Sequence, residues 1–254
     1  MDLGFADGAV LVSGGSRGIG LAVARVLLAE GARVALAARG RAGLDEAVSA
    51  LDVPGRVAAV AADTTTEAGA ALALDRAEAE FGPLSAVVSV VGGGAGLRGH
   101  AVPAAEWHRM VDLNLIGPMT LAARAIDRLA PRRGSLTFVS SIAGCEALDA
   151  PVPYAAAKAG LNAAVKALAR SAAPLGVRVN AVAPGNVLVP GGTWERRLGE
   201  NPDAVAQLLA AEVPLGRLAD PAEIARVIAF LASGQAGFVT GAVWTADGGQ
   251  TRGF

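Results

Sequence analysis

Apolar residues in this chain fall into short unbroken runs, separated by longer stretches where they recur every three or four positions. The runs at 9–13, 33–38, 56–61, 86–90, 135–140, 178–183 and 242–245 are nearly continuous rather than alternating. Strands covered on both faces read this way, because neither face meets water. Helical spacing fills the gaps at 18–30, 42–51, 67–81, 104–129, 154–173 and 221–233. Gly31, Gly82-Pro83 and Gly176 break the pattern, and Asp220-Pro221 predicts an N-cap followed by a proline at the first helical position. Strand–helix–strand repetition predicts right-handed crossovers and a doubly wound α/β fold, a parallel sheet of about seven strands with helices on both faces. No linker or repeat interrupts it, so residues 1–254 read as one domain. The least regular stretch, 186–213, carries Pro190-Gly191-Gly192 and Asn201-Pro202. It is too long for a passive connection and is predicted to form a lid.

Composition narrows the classes. A chain of 254 residues, 53% hydrophobic and 18% charged, has enough apolar surface for one large core and is not disordered. No apolar run reaches the ~18 residues a spanning helix needs. Asp2 and Asp7 stand where a secretory leader would be basic, so a soluble cytoplasmic protein is expected. Lys+Arg 22 against Asp+Glu 23 gives a net charge of -1, which offers nucleic acid or an acidic membrane no general field. The single cysteine excludes an internal disulfide and a Cys-rich metal site. His100 and His108 lack a partner at ligand spacing, so no metal is expected. Tyr154 is the only tyrosine, and Lys158 and Lys166 are the only lysines.

Candidate chemistry begins where the first run ends, in Ser13-Gly14-Gly15-Ser16-Arg17-Gly18-Ile19-Gly20. Glycines let the backbone turn tightly and approach a phosphate, and the following helix aims free N–H groups at the anion. Strand before and helix after make this a dinucleotide loop and the fold Rossmann-like. An NAD site wants a carboxylate about 20 residues on; an NADP site wants a cation. Ala38 and Arg39 stand there, with Arg41 close by and Arg17 in the loop, which favours NADP(H).

Tyr154 and Lys158 lie four apart at a predicted helix start, so phenol and ammonium share one face. A neighbouring cation stabilises phenolate and is expected to lower the phenol's pKa from about 10. Ser141 follows the run 135–140 at a strand's C-terminal end, where open parallel sheets bind ligands. Its hydroxyl can hold a substrate oxygen while Tyr154 gives or takes the proton. Cys145 reads as a small buried hydrophobe, Trp107 and Trp244 as packing, Trp194 as a lid residue and Lys166 as a surface charge.

In these motifs the chain resembles the short-chain dehydrogenase/reductase family. They are Gly14-x3-Gly18-x-Gly20, Asp63, Asp112-Leu113-Asn114-Leu115, Ser141, Tyr154-x3-Lys158, Asn180 with Pro184-Gly185, and Asp247-Gly248-Gly249. The resemblance implies Tyr154 as catalytic acid/base, Ser141 orienting the carbonyl, Lys158 on the nicotinamide ribose, and Asn114 anchoring a relay water. It implies cofactor contacts at Gly14, Ser16, Arg17, Gly18, Ile19, Gly20, Arg39, Asp63, Thr64, Ser89, Gly92, Tyr154, Lys158, Pro184, Gly185 and Val187. It also implies a homotetramer, or a dimer. Three departures from the family pattern are visible: Ser89-Val90-Val91-Gly92 in place of Asn-Asn-Ala-Gly, Val189 where Thr is frequent, and Ser13 for Thr. The expected activity is NADP(H)-dependent reduction of a ketone or aldehyde to an alcohol, run reversibly. The alternatives are an NAD-linked alcohol dehydrogenase working oxidatively and a non-catalytic NADP(H) sensor. The substrate walls, 93–102, 142–153 and 186–213, are largely apolar and suit a hydrophobic or ring-bearing carbonyl.

Overall fold

The computed structural model describes residues 3–6 and 8–253, so Asp2 and Asp7 lie outside the described residues. The strands are β1 (Ala9–Ser13), β2 (Arg33–Ala38), β3 (Val57–Ala61), β4 (Leu84–Ser89), β5 (Ser135–Val139), β6 (Arg178–Pro184) and β7 (Val243–Ala246). They form one parallel sheet in the order β3-β2-β1-β4-β5-β6-β7. The winding reverses between β1 and β4, which opens a crevice at their C-terminal ends, where Ser13 pairs with Ser89.

The helices are α1 (Gly18–Ala29), α2 (Arg41–Leu51), α3 (Glu67–Phe81), α4 (Ala104–Val111), α5 (Gly117–Leu129), α6 (Val152–Ala172), α7 (Thr193–Glu200), α8 (Pro202–Glu212) and α9 (Pro221–Ala232). Side chains alternate faces along a strand. Val10 and Val12 therefore join one core with Leu27 of α1, Leu44 of α2 and Ile228 of α9. Leu11 joins the other, with Leu74 of α3, Leu121 of α5 and Leu161 of α6. Two filled faces explain the continuous apolar runs. Helix α9 starts with the predicted grammar: Asp220 accepts from the Ala222 N–H at 2.7 Å, and Glu223 reaches back to the Asp220 N–H at 2.8 Å.

Two expectations are corrected. The stretch 104–129 is not one α-helix: a π turn, Asp112–Ile116, separates α4 from α5, with the Gly117 N–H bonded to the Asp112 carbonyl. The Asn114 side chain donates to the Met110 carbonyl at 3.0 Å, an acceptor that a regular helix reserves for the backbone N–H of residue 114. The stretch 186–213 is irregular only in its first part: after residues 186–192 it holds α7 and α8. Asn201 caps α8 by accepting from the Ala204 N–H at 3.0 Å, and Pro202 takes the first helical position. Among the described residues, no helix is long and apolar enough to cross a membrane, and no group of His, Cys, Asp and Glu forms a metal cluster.

Candidate active site

The glycine loop connects β1 to α1. Gly18 sits at φ +55°, and a Cβ on Gly20 would stand 2.1 Å from the Gly14 carbonyl oxygen, so neither position admits a larger residue without rearrangement. The N–H groups of Gly14 and Gly15 both donate to the Ala37 carbonyl, at 2.8 and 3.2 Å, which ties the loop to β2. Arg17, at the N-cap of α1, is extended, and no side chain caps the helix. The first-turn N–H groups, Ile19 and Gly20 among them, are thus left for an anionic ligand, with the helix dipole behind them. This cradle fits the pyrophosphate of a nicotinamide dinucleotide.

At the end of β2, Arg39 is exposed, as is Arg17 in the loop, and neither is ion-paired among the described residues. Arg41 is different. It pairs with Asp45 one turn along α2 at 2.9 Å, an exposed pair that a phosphate would have to displace. Beyond β3, the Asp63 carboxylate accepts from the Thr65 hydroxyl at 2.6 Å and the Thr65 N–H at 3.1 Å. The Thr65 hydroxyl, and more weakly Arg39, hold Asp63 below the usual carboxylate range. Thr64 is buried, 2.5 Å from the Ser13 hydroxyl, locking the end of β3 to β1.

At the end of β4, Ser89 is buried and its hydroxyl has no partner among the described residues. Asparagine at this position would have spanned further, so the serine leaves the loop to a different anchor. That anchor is Asn114, which is fully buried. Its Oδ1 accepts from the Gly93 N–H at 2.9 Å and its Nδ2 donates to the Gly93 carbonyl at 3.2 Å. A Cβ on Gly92 would meet Asn114 Oδ1 at 2.8 Å and Lys158 Nζ at 3.1 Å, so Gly92 is the point where these side chains converge.

Tyr154, Lys158 and Ser141 come together at α6 and the end of β5. The Ser141 hydroxyl is near enough to the Tyr154 phenol to favour its ionised form. Lys158 is 3% exposed; its Nζ donates to the Val139 carbonyl at 2.9 Å and stands 5.9 Å from the Tyr154 ring centroid. The expected lowering of the phenol's pKa is reversed here: burial pushes it up, and only the nearby Ser141 hydroxyl pulls the other way. Lys158 points at a carbonyl rather than at the phenol, and desolvation pushes its own ammonium down to about 8.

On the far side of the crevice, Pro184 ends β6, and a Cβ on Gly185 would lie 2.8 Å from the Asp247 Cα. Val187 forms a parallel bridge with Ala219. The bridge uses the Leu188 N–H and the Asn186 carbonyl, both at 2.9 Å, and leaves the N–H and C=O of Val187 on the opposite edge. Asn180 is structural: it donates to Val239 at 2.9 Å and accepts from Ala242 at 3.0 Å. Asp247 caps the turn after β7 by accepting from the Gly249 and Thr251 N–H groups.

Gly94 packs by the Tyr154 ring, where a Cβ would meet the ring carbons at 3.5 Å, an ordinary contact. Arg98 pairs with Asp149 and spans two of the expected walls. Cys145 is exposed, contrary to expectation, because it lies on the turn after Ser141. Trp194 stacks on Arg197 within α7, and Trp244 is half-exposed at the edge of β7. A cavity of about 910 Å³ lies elsewhere, between α1 and α9, and reaches this crevice only at Gly18 and Pro190. Pattern reading missed Asn162, which stands one further turn along α6 and bonds both Ser140 and Gly144. Its signal was the same four-residue spacing that marked Tyr154 and Lys158.

Known proteins match this arrangement along nearly the whole chain. A family model described as enoyl-(acyl carrier protein) reductase matches residues 14–251. A cis-4-hydroxycyclohexanecarboxylate dehydrogenase of Sinomonas cyclohexanicum is 37% identical over 97% of this chain and 98% of its own length. An acetoacetyl-CoA reductase of Shinella zoogloeoides is 33% identical over 94% of this chain and 97% of its own. The solved NADPH-bound short-chain oxidoreductase of Pseudomonas aeruginosa PAO1, described as containing an atypical catalytic center, is 32% identical. It superposes with a TM-score of 0.91, covering 98% of this chain and 99% of that one. With the glycine cradle, the convergence on Gly92 and these relatives, the chain is an oxidoreductase that belongs to the short-chain dehydrogenase/reductase family.

Proposed function

We propose that this protein is an NADP(H)-dependent oxidoreductase that interconverts a ketone or aldehyde and its alcohol, with Tyr154 as the proton-transfer group. The observation that carries this reading is the convergence of Tyr154, Ser141, Lys158 and Asn114 at the C-terminal ends of β4 and β5. The bound nicotinamide supplies or accepts the hydride. Gly14, Ser16, Gly18, Ile19 and Gly20 would hold the pyrophosphate; Asp63 and Thr64 the adenine side; and Ser89, Gly92, Pro184, Gly185 and Val187 the nicotinamide half. In the reductive direction Ser141 holds the substrate oxygen, and Tyr154 donates its proton to that oxygen as the alcohol forms. Burial raises the phenol's pKa, so it is protonated at neutral pH, the state a proton donor needs. Lys158 stands 5.9 Å from the ring centroid, and its role in this reading is to hold the nicotinamide ribose. Asn114 fixes the Gly93 loop at the base of the site.

Support for NADP(H) comes from exposed Arg17 and Arg39, from the missing carboxylate at the end of β2, and from the NADPH-bound Pseudomonas relative. The small Gly94 beside the Tyr154 ring, the apolar walls and the name of the Sinomonas relative favour a ring-bearing substrate, with α7 and α8 as its lid. The half-exposed Trp244 on edge strand β7 suits self-association, and we propose a homotetramer that works in the cytoplasm. That Sinomonas relative is named as a dehydrogenase, so alcohol oxidation is the second direction to assay.

The test is titration of the protein with NADPH and NADH, followed by loss of NADPH absorbance against a panel of cyclic and linear carbonyls. NADPH should bind at least about tenfold more tightly, a difference of about 1.4 kcal/mol, and a cyclic ketone should be reduced. Equal affinities overturn the cofactor assignment. Tight binding with no turnover of any carbonyl, and no alcohol oxidation, overturns the enzymatic one.

A further inference from the structure

Helix α6 meets the end of β5 with one residue per turn. Positions 154, 158 and 162 share a face because they are spaced by four. Tyr154 lies near the Ser141 hydroxyl, and Lys158 donates to the Val139 carbonyl at 2.9 Å. Asn162 spans the residues on either side of Ser141. Its Oδ1 accepts from the Ser140 hydroxyl at 2.6 Å, and its Nδ2 donates to the Gly144 carbonyl at 3.0 Å. The same Nδ2 lies 3.5 Å from Cys145 Sγ. The amide orientation follows from its partners, a hydroxyl donor on one side and a carbonyl acceptor on the other.

We propose that Asn162 is the positioning residue for Ser141. The Ser141 hydroxyl accepts from the Ala143 N–H at 3.2 Å, so its rotamer depends on the turn Ile142–Gly144. Asn162 pins that turn at Gly144 and pins the chain before Ser141 at Ser140. The turn lies hard against α6: a Cβ on Gly144 would stand 2.6 Å from the Lys158 carbonyl carbon. Asn162 thereby fixes the distance between the Ser141 hydroxyl and the Tyr154 phenol without touching either. The role rests on the proposed function, in which Ser141 holds the substrate oxygen.

A double-mutant cycle tests it, with Asn162→Leu, Ser141→Ala and the pair. Asn162→Leu should lower kcat by about 10- to 100-fold, as a small misplacement of a catalytic group does, with the Kd for NADPH unchanged. Combined with Ser141→Ala it should cost less than about twofold more, because there is no hydroxyl left to place. Losses that multiply, or a kcat for Asn162→Leu equal to wild type, overturn the proposal. Ser140→Ala is a gentler probe of the same clamp and should show the same dependence on Ser141.

A second reading needs no substrate. Tyr154 is the only tyrosine, so phenolate absorbance reports that one group. The nearby Ser141 hydroxyl lowers its pKa, and Lys158 is kept in every variant. Asn162→Leu should move the titration to higher pH, Ser141→Ala should do the same, and the pair should move it no further. A phenol shifted by Ser141→Ala but not by Asn162→Leu overturns the positioning role. If Ser141→Ala turns over at the wild-type rate, the dehydrogenase role of Ser141 fails instead, and the titration still decides on Asn162.

Discussion

Lys158 donates to the Val139 carbonyl at 2.9 Å while standing 5.9 Å from the centroid of the Tyr154 ring. The ammonium is therefore a buried charge with one neutral partner, and desolvation pushes it from the ordinary 10.5 down to about 8. Between these values the unfolded chain binds the proton and the folded one does not. Stability therefore rises with pH across that window, and the burial penalty is fully present below about pH 8. The gap corresponds to about 3 kcal/mol, less about 1 for the Val139 bond that a replacement would lose. Lys158→Met is expected to be more stable than wild type by about 2 kcal/mol at pH 7, while turning over poorly. Denaturant melts at pH 7 and pH 10 should show that advantage shrinking, and a constant advantage would contradict a buried ammonium.

Arg39 and Arg41 are two residues apart and differ in what they are free to do. Arg41 is paired with Asp45, whereas Arg39 is exposed, unpaired among the described residues and close enough to Asp63 to lower its pKa. Arg39→Asp is expected to weaken NADPH by about 10- to 100-fold, or roughly 1.4 to 2.8 kcal/mol. The new carboxylate should tighten NADH, because it can accept from the ribose 2′-OH. Arg41→Ala should leave both constants within about twofold. Isothermal titration of both cofactors checks this, and equal losses for the two variants would contradict it.

Gly92 and Gly94 predict opposite outcomes from the same substitution. At Gly92, φ is +155° and a new Cβ meets Asn114 Oδ1 at 2.8 Å. Gly92→Ala is expected to cost about 1–3 kcal/mol and most of the activity. At Gly94 a Cβ meets the Tyr154 ring at 3.5 Å, an ordinary contact. Gly94→Ala should melt like wild type and raise KM for ring-bearing substrates more than for small linear ones. Thermal melts with parallel kinetics on two substrates separate the cases, and a destabilised Gly94→Ala with unchanged selectivity would contradict this.

The N-cap of α9 gives a stability prediction away from the site. Asp220→Ala removes the acceptor for the Ala222 N–H and should cost about 1 kcal/mol, with cofactor affinity unchanged. Arg217 and the Asp220 N–H hold the Glu223 carboxyl at about 2. That contribution is present above the ordinary 4.5 and is lost as pH falls toward about 2. Glu223 is partly exposed, so solvent reduces the effect. The gap between wild type and Glu223→Gln should shrink as pH falls from about 4.5 and close near pH 2; a gap undiminished near pH 2 would contradict the assignment.

Most of the sheet was legible because burial on both faces leaves unbroken apolar runs, and β1 and β2 match the predicted limits. The π turn was not, since one extra residue at Asn114 barely disturbs helical spacing over a long stretch. Helices α7 and α8 were hidden because Pro190-Gly191-Gly192 and Asn201-Pro202 read as loop signals. Asn201-Pro202 is in fact the same cap-plus-proline start as Asp220-Pro221. At the site, spacing along one helix put Tyr154 beside Lys158, but it carries nothing about direction. That Lys158 points at Val139, that Arg41 is taken by Asp45 and that Asn162 clamps the Ser141 turn all depend on contacts between distant segments or on side-chain rotamers.

With one phenol in the chain, a single substitution bears on proton transfer more directly than any other: Tyr154→Phe, assayed for NADPH binding and carbonyl reduction in the same preparation. NADPH should bind within about twofold of wild type while kcat falls by about 10²- to 10⁴-fold, the range a positioned proton donor supplies. A Tyr154→Phe protein that reduces the carbonyl at the wild-type rate would contradict Tyr154 as the proton donor.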